Sequence, residues 1–227
     1  MGKITRREFM VKGSLIAGGT VGALTLGGEL LSPRKILSAN IEFPESGCTS
    51  ETPNKKRILI AYASFCGTTA GVAEAIGRVL CKQGANVEVR LLKNVPDIAA
   101  YEGVIMGSSV RSASWLPEAI EFVEKNKDKL KRIPVAYFLT CLALYKDSVE
   151  TRQVARSYMN PVLKAVPTVQ PVDMGFFAGV LDYSKLNMIY RMIMKSKMKD
   201  KGIPEGDFRN WEAIHGWTEK SDFVKRI

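Results

Sequence analysis

The sequence is poor in the residues from which metal and haem sites are built. Its 227 residues include one histidine, His215, and four cysteines, none of them in a CxxC pair. This scarcity argues against a zinc site and excludes any site with several histidine ligands, so we expect no metal. Cysteines so widely spaced in a chain of this length do not imply a disulfide framework either. They are Cys48, Cys66, Cys81 and Cys141.

Basic residues outnumber acidic residues in this sequence. The chain has 33 Lys and Arg against 23 Asp and Glu, a net charge of +10. Residues 1–39 hold six of these basic and two of these acidic residues, so the remainder keeps a net charge of +6. Such a balance suits an anionic surface or substrate. No nucleic-acid-binding motif accompanies it, so we expect no nucleic-acid partner.

The first 39 residues have no domain-like pattern and resemble a twin-arginine export signal. Arg6 and Arg7 precede an apolar residue, and an uncharged stretch at 13–28 follows. This stretch is shorter than the ~20 strongly apolar residues of a spanning helix. Small residues near Ala39 offer a cleavage site. The alternative is an amphipathic N-terminal helix or a membrane anchor. Export predicts a location in the periplasm or on the outer face of the cytoplasmic membrane.

Residues 40–56 are rich in Pro, Ser, Thr and Lys and predict a linker. From residue 57 to 227, short apolar runs alternate with helical periodicity, which predicts one α/β domain with a doubly wound, five-stranded parallel sheet. The predicted strands are 57–63, 87–92, 103–107, 133–139 and 172–177, and the predicted helices are 69–83, 116–129, 149–165 and 207–224.

One segment, residues 181–203, does not fit this alternation. We interpret it as an inserted basic amphipathic helix over 187–199 that contacts a membrane surface or the substrate entrance. The alternative is a helix that caps the end of the sheet. The predicted basic side consists of Arg191, Lys195 and Lys199, and the predicted apolar side of Ile189, Tyr190, Ile193 and Met194.

The turn after the first predicted strand carries the strongest chemical signal. A phosphate monoester needs hydroxyl donors, backbone N–H donors and a helix N-terminus, and a hydroxyl-rich turn with a glycine before a helix supplies all three. The turn lacks lysine, so it is not a Walker loop. The alternative is an ordinary Thr-capped turn. The candidate residues are Ser64, Phe65, Cys66, Gly67, Thr68 and Thr69.

Two further loops are expected beside this turn. In a doubly wound sheet of order 2-1-3-4-5, ligands bind beyond the carboxyl ends of the strands where the strand order reverses. Trp115 could stack on a flavin ring or pack onto the following helix, and Arg111 could contact a ligand or remain solvated. The candidates are Ser108, Ser109, Val110, Arg111 and Trp115 in the second loop, and Thr140, Cys141 and Leu142 in the third.

These motifs resemble flavodoxin, whose phosphate loop is matched by Ser64, Gly67 and Thr69. Over residues 56–227 the chain is more similar to the flavodoxin-like menaquinone-dependent protoporphyrinogen dehydrogenase family. The matching motifs are Gly107–Arg111, Ala178–Tyr183, the Met- and Lys-rich insert and Asn210-Trp211-Glu212. The family's aromatic, Gly and His are replaced by Ser112, Ala113 and Ser114, which affects substrate handling more than FMN binding.

The resemblance implies an enzyme, namely an FMN oxidoreductase that passes electrons from an organic donor to a quinone. Its donor would be a porphyrinogen, whose carboxylates suit the basic insert. One alternative is an exported electron carrier of the flavodoxin type, although such carriers are usually acidic and lack the insert. Another is an exported scaffold that has lost its flavin. The residues identify no catalytic side chain.

Overall fold

A computed structural model of the protein describes residues 41–50 and 55–227. The predicted leader and a short part of the predicted linker lie outside these ranges. The described strands are β1 (Ser46–Cys48), β2 (Arg57–Ala63), β3 (Asn86–Leu91), β4 (Gly103–Arg111), β5 (Ser114–Trp115), β6 (Val135–Cys141), β7 (Asp173–Ala178), β8 (Val180–Leu181) and β9 (Gly206–Asp207).

Five parallel strands form the centre of the main sheet, in the order β3-β2-β4-β6-β7. Numbered along the chain, this is the predicted order 2-1-3-4-5. β2 is an interior strand between β3 and β4, and six of its seven residues are buried. A strand covered on both faces needs such a continuous apolar run. The carboxyl ends of β2, β4 and β6 therefore lie side by side.

Helices cover both faces of the sheet. They are α1 (Thr68–Lys82), α2 (Pro117–Leu130), α3 (Val149–Ser157), α4 (Asn160–Ala165), α5 (Met188–Asp200) and α6 (Trp211–Lys220). α1 and α6 contribute Ile76 and Ile214 to one apolar cluster. α2, α3 and α4 contribute to a second apolar cluster, which also contains Leu59 of β2. The sheet thus lies between two apolar layers, as in a doubly wound fold.

Two predicted helices are shorter than expected. The helix predicted over 149–165 is divided, because Pro161 lacks the N–H that would bond to Ser157 and its ring would clash with that carbonyl. The helix predicted over 207–224 begins at Trp211, where the side chain of Asn210 accepts the N–H of Ala213 at 2.9 Å. Asp207, the first residue of the predicted helix, lies instead in β9, which pairs with β8.

The segment 40–56 was predicted as a linker, and this is wrong for Ser46–Cys48. Ser46–Cys48 form β1, which pairs antiparallel with the edge strand β3. Cys48 also forms a disulfide with Cys81 in the last turn of α1. The spacing of the cysteines in the sequence gave no indication of this bond. Proximity across the sheet edge brings together residues that are 33 positions apart.

The predicted insert contains α5, close to the expected bounds. Contrary to the prediction, the apolar residues of α5 do not all lie on one side of the helix. Tyr190 and Met194 pack inward on a cluster that contains Met198, whereas Ile189 and Ile193 face solvent. No helix within the described ranges is long and apolar enough to cross a membrane.

Candidate functional site

The predicted phosphate-binding turn, residues 64–69, connects β2 to α1 and is called the phosphate loop below. Gly67 is the N-cap of α1 and has a φ of 80°, in the left-handed region that glycine adopts at little cost. No side chain caps the helix at this position, and its first turn contains no acidic residue. The positive end of the helix dipole is therefore available for an anion.

Hydrogen bonds join this loop to the two loops beside it. The backbone N–H of Phe65 donates to the hydroxyl of Ser109 at 3.1 Å, which connects the ends of β2 and β4. The hydroxyls of Thr69 and Thr140 bond at 2.9 Å and connect α1 to the end of β6. Within the loop, the hydroxyl of Ser64 accepts the N–H of Thr69 at 3.3 Å. The three predicted loops thus form one continuous surface.

Arg111 contacts the phosphate loop from the second loop. Its guanidinium carbon lies 4.9 Å from the centroid of the Phe65 ring, a cation–π distance. Arg111 is the last residue of β4 and pairs with Ser114 across a two-residue turn. Ser112 and Ala113 in this turn have φ values of 52° and 58°, which non-glycine residues adopt at a cost.

Two predicted cofactor contacts in the second loop are contradicted. Trp115 is only 2% exposed, and its ring centroid lies 4.9 Å from that of Tyr137, so it packs in the core and not on a flavin. Ser108 is fully buried, and its hydroxyl bonds to the backbone of Ser109 and Leu116. The hairpin of β4 and β5 turns both side chains into the protein. Val110 is half-buried and packs against the same core.

The insert, which was predicted to contact a membrane surface or the substrate entrance, forms a fourth wall beside the three loops. Tyr183 and Leu186 belong to an apolar cluster against which Phe65, Cys66 and Leu142 pack. These last three residues come from the first and third predicted loops. Tyr183 in the Ala178–Tyr183 motif was the sequence signal for this fourth wall, but the motif served above only to identify the family.

Arg209 is a further residue that sequence reasoning missed. It donates a hydrogen bond to the carbonyl of Thr68 at 3.3 Å and lies over the ring of Trp211. An ion pair with Asp207 orients its guanidinium. Arg209 therefore ties the segment between β9 and α6 to the first turn of α1. Its cationic group lies beside the helix N-terminus where an anion would bind.

The two free thiols at the site are held in the neutral form. Burial raises the pKa of Cys66 to about 11, the charge of Asp182 adds to this, and Lys185 opposes it. Burial likewise raises the pKa of Cys141 to about 11, against backbone hydrogen bonds from Leu144 and Ala143. A nucleophilic or metal-binding cysteine must be a thiolate, so neither thiol suits those roles at neutral pH. Over the described ranges, no group of three His, Cys, Asp or Glu side chains could hold a metal ion.

Sequence comparison with a family model and with curated relatives identifies the family of this chain. A family model described as "Flavodoxin domain" matches residues 59–206, more than half of the chain. Two curated relatives are named protoporphyrinogen IX dehydrogenase (quinone). The relative from Leishmania major is 27% identical over 184 residues, which cover 74% of each chain. The relative from Escherichia coli K12 is 25% identical over 173 residues, covering 75% of this chain and 94% of its own.

Solved structures similar to this chain include flavodoxins. Megasphaera elsdenii flavodoxin is 16% identical, covers 72% of this chain and 99% of its own, and has a TM-score of 0.45. Flavodoxin 2 from Bacillus cereus is 20% identical, covers 75% and 99% respectively, and has a TM-score of 0.44.

Proposed function

We propose that this chain, which belongs to the flavodoxin domain family, passes electrons from an organic donor to a quinone. The chain is an oxidoreductase and its cofactor is FMN. The observation that carries the proposal is the meeting of three loops, from β2, β4 and β6, at the N-terminus of α1, where Gly67 as the N-cap has no capping side chain. This arrangement fits one phosphate monoester with an attached ring system.

The phosphate loop is the part of the chain that would hold the cofactor phosphate. Ser64 and Thr68 supply hydroxyls, Gly67 lets the backbone approach closely, and the first N–H groups of α1 point toward an anion. When bound, FMN supplies the redox chemistry. Phe65 and Arg111 would border the ring system, together with Cys66, Ser109 and Leu142. The predicted contacts Thr140 and Cys141 are buried and would support the site from beneath it.

The described side chains contribute position and charge to this chemistry. Cys66 and Cys141 stay protonated at neutral pH because burial raises their pKa values, so they are poor electron-transfer or nucleophilic groups. The insert packs against the side of the phosphate loop that carries Phe65 and Cys66, and it leaves both residues partly buried. We assign no catalytic side chain.

The proposed donor is an anionic organic molecule such as a porphyrinogen. Arg111 and Lys185 are exposed cations beside the phosphate loop, and Lys195 lies 5.4 Å from the ring of Tyr183 in the adjoining wall. These charges suit a substrate with carboxylates. The quinone acceptor follows from the names of the relatives in Leishmania major and Escherichia coli.

The proposed quinone reaction takes place at a membrane surface that α5 contacts. Met188, Ile189, Met192 and Ile193 on this helix account for four of the seven exposed large apolar side chains of the described residues. The helix also carries Lys195, Lys197 and Lys199. A basic residue close to an anionic leaflet contributes about 1 kcal/mol of attraction, so this helix could hold the domain there reversibly.

We further propose that the protein is exported through the twin-arginine route. The disulfide between Cys48 and Cys81 supports this, because disulfides persist in oxidising compartments and are rare in a reducing cytoplasm. A route that carries folded proteins would allow FMN to be bound before export.

The first test uses the full chain loaded with FMN. A porphyrinogen donor should bleach the flavin absorbance, and menaquinone added afterwards should restore it within seconds to minutes. Bleaching without restoration by menaquinone would refute the quinone assignment. Rapid electron exchange with redox proteins but not with either small molecule would favour an exported flavodoxin-type carrier.

The second test addresses the membrane contact. A quadruple variant, Met188→Gln, Ile189→Gln, Met192→Gln and Ile193→Gln, should lose binding to vesicles with anionic lipid and most menaquinone reduction on them. Its FMN affinity should stay unchanged, because these four side chains face solvent. The matched control is Val149→Gln with Val154→Gln, which removes the exposed apolar side chains of α3. Equal vesicle binding by both variants would contradict the proposed contact.

A further inference from the structure

Residues 41–48, which we call the N-terminal strap, lie against the phosphate loop. A Cβ atom added at Gly67 would be 3.0 Å from the carbonyl oxygen of Glu42 and 3.0 Å from Cγ2 of Ile41. Both distances are shorter than ordinary van der Waals contact. The strap therefore touches the loop at the residue with the left-handed backbone, and only glycine leaves room for it.

Non-covalent contacts hold the strap along its length. The buried hydroxyl of Tyr62, at the end of β2, donates to the carbonyl of Pro44 at 2.7 Å. Phe43 packs on the apolar cluster between the sheet and α1. The carboxylate of Glu45 accepts hydrogen bonds from the N–H of Leu91 at 3.0 Å and from the side chain of Asn94 at 2.9 Å.

The disulfide closes this arrangement covalently. Cys48 ends the strap, and Cys81 lies in the last turn of α1, 33 residues further along. Between them run β2, the phosphate loop and nearly all of α1. One covalent ring therefore contains every backbone N–H that the first loop and the first turn of α1 offer to a phosphate.

We propose that the Cys48–Cys81 disulfide fastens the N-terminal strap against Gly67 and thereby slows the release of FMN. Reduction by a dithiol breaks the S–S bond, forms one thiol at each cysteine and converts the dithiol to its own disulfide. The strap is then held only by its non-covalent contacts. FMN retention thus depends on the redox state of two cysteines that do not touch the cofactor.

The physical reason is preorganisation. A phosphate gains most from N–H donors that are already aligned, because binding then spends no free energy on ordering the loop. With the disulfide intact, the strap limits the excursions of Gly67 away from its left-handed conformation. With the disulfide reduced, the loop samples other conformations more often. Such changes act mainly on the dissociation rate.

The test measures FMN release from the full chain after dilution, followed by flavin fluorescence. Release should be about five times faster after treatment with dithiothreitol than in the oxidised chain, since lost preorganisation appears in dissociation. The Cys48→Ser/Cys81→Ser variant should release FMN at the fast rate with or without dithiothreitol. Equal rates in the oxidised and reduced chains, or a dithiothreitol response that persists in this variant, would overturn the proposal.

A second pair of variants keeps the disulfide and so does not depend on the folding of the double cysteine variant. Tyr62→Phe removes the hydrogen bond to Pro44 and should accelerate FMN release about two- to five-fold through the loosened strap. Tyr137→Phe is the matched control, because Tyr137 is equally buried in the sheet but packs on Trp115, away from the strap. Equal release rates from these two variants would also overturn the proposal.

Discussion

The hydroxyl oxygens of Thr69 and Thr140 lie 2.9 Å apart in the buried interior between α1 and the end of β6. This bond joins two loops that are 71 residues apart in the sequence. The hydroxyl of Ser64 accepts a hydrogen bond from the backbone N–H of Thr69 and so also orients Thr69. The first turn of α1 is therefore fixed from two sides, and its remaining N–H groups keep a defined direction toward an anion.

Removing a hydroxyl from the phosphate loop should weaken cofactor binding. We expect Ser64→Ala and Thr69→Ala each to lower FMN affinity by about 1–3 kcal/mol, because each variant leaves a buried hydrogen-bonding partner unsatisfied and loosens the first turn of α1. Titration of the apoprotein with FMN measures this. Ser157→Ala is the control, because its exposed hydroxyl bonds only locally, to the carbonyl of Val154. Unchanged FMN affinity in both loop variants would assign Ser64 and Thr69 to capping alone.

Replacing Ala113 by glycine should stabilise the protein. Its φ of 58° strains an alanine but not a glycine, and relief of this strain exceeds the entropy that glycine adds to the unfolded chain. We expect a gain of about 0.5–1 kcal/mol, measured by urea unfolding. Ala213→Gly, in the exposed part of α6, should shift stability in the opposite direction by a similar amount. A loss of stability in Ala113→Gly would show that the turn adopts another conformation.

The strap should make the protein sensitive to acid through Glu45. Partial burial raises the pKa of this carboxyl, but hydrogen bonds from Asn94, Leu91 and Arg90 outweigh burial and hold the pKa below its ordinary value of 4.5. A lowered folded-state pKa contributes stability that is present above the unfolded value and is lost as pH falls through the folded value.

Thermal melts between about pH 6 and pH 3 would measure this contribution, since that interval spans both titrations. At about pH 6, Glu45→Gln should have a lower Tm than the parent protein, and its Tm should fall less when the pH is lowered to about 3. Glu124→Gln on α2 serves as the control and should follow the parent. If the parent and Glu45→Gln lost equal stability on acidification, the Glu45 contacts would not be the source of acid sensitivity.

The leader should determine export. Arg6→Lys combined with Arg7→Lys should retain the protein in the cytoplasm, because the twin-arginine route recognises the arginine pair, and the fold from residue 57 onward should be unaffected. Fractionation of cells that express a tagged protein would detect the change. The conservative replacement Arg34→Lys, also in the leader, should leave export intact. Undiminished export of the double variant would mean that another route operates.

Much of the fold could be predicted because its signals are local. The continuous apolar run of β2 and the hydroxyl-rich turn before α1 each consist of a few consecutive residues. Each can therefore be recognised from the local sequence alone. The bounds of α5 were likewise close to those predicted. The break before Pro161 was also a local signal, although periodicity alone passed over it.

The features that the sequence did not predict depend on distant residues. β1 has only the residues Ser-Gly-Cys, a pattern without β propensity, and it forms because β3 presents a free edge. The disulfide follows from that pairing. The burial of Trp115 depends on the tight β4–β5 hairpin and on the position of Tyr137, neither of which periodicity reveals. The inward face of α5 was missed for the same reason.

The short strand β1 also affects how the protein behaves at high concentration. Without it, β3 would present a row of unpaired amides and carbonyls on which the strand of another molecule could pair. β1 occupies three positions of that row, and at Gly47 an added Cβ would lie 2.7 Å from the carbonyl of Val87, so the pairing is too close for any larger residue. The outer edge on this side of the sheet is now β1 itself, which is only three residues long and belongs to the strap with its charged Glu42 and Glu45. A short edge beside charged residues discourages chains from pairing edge to edge.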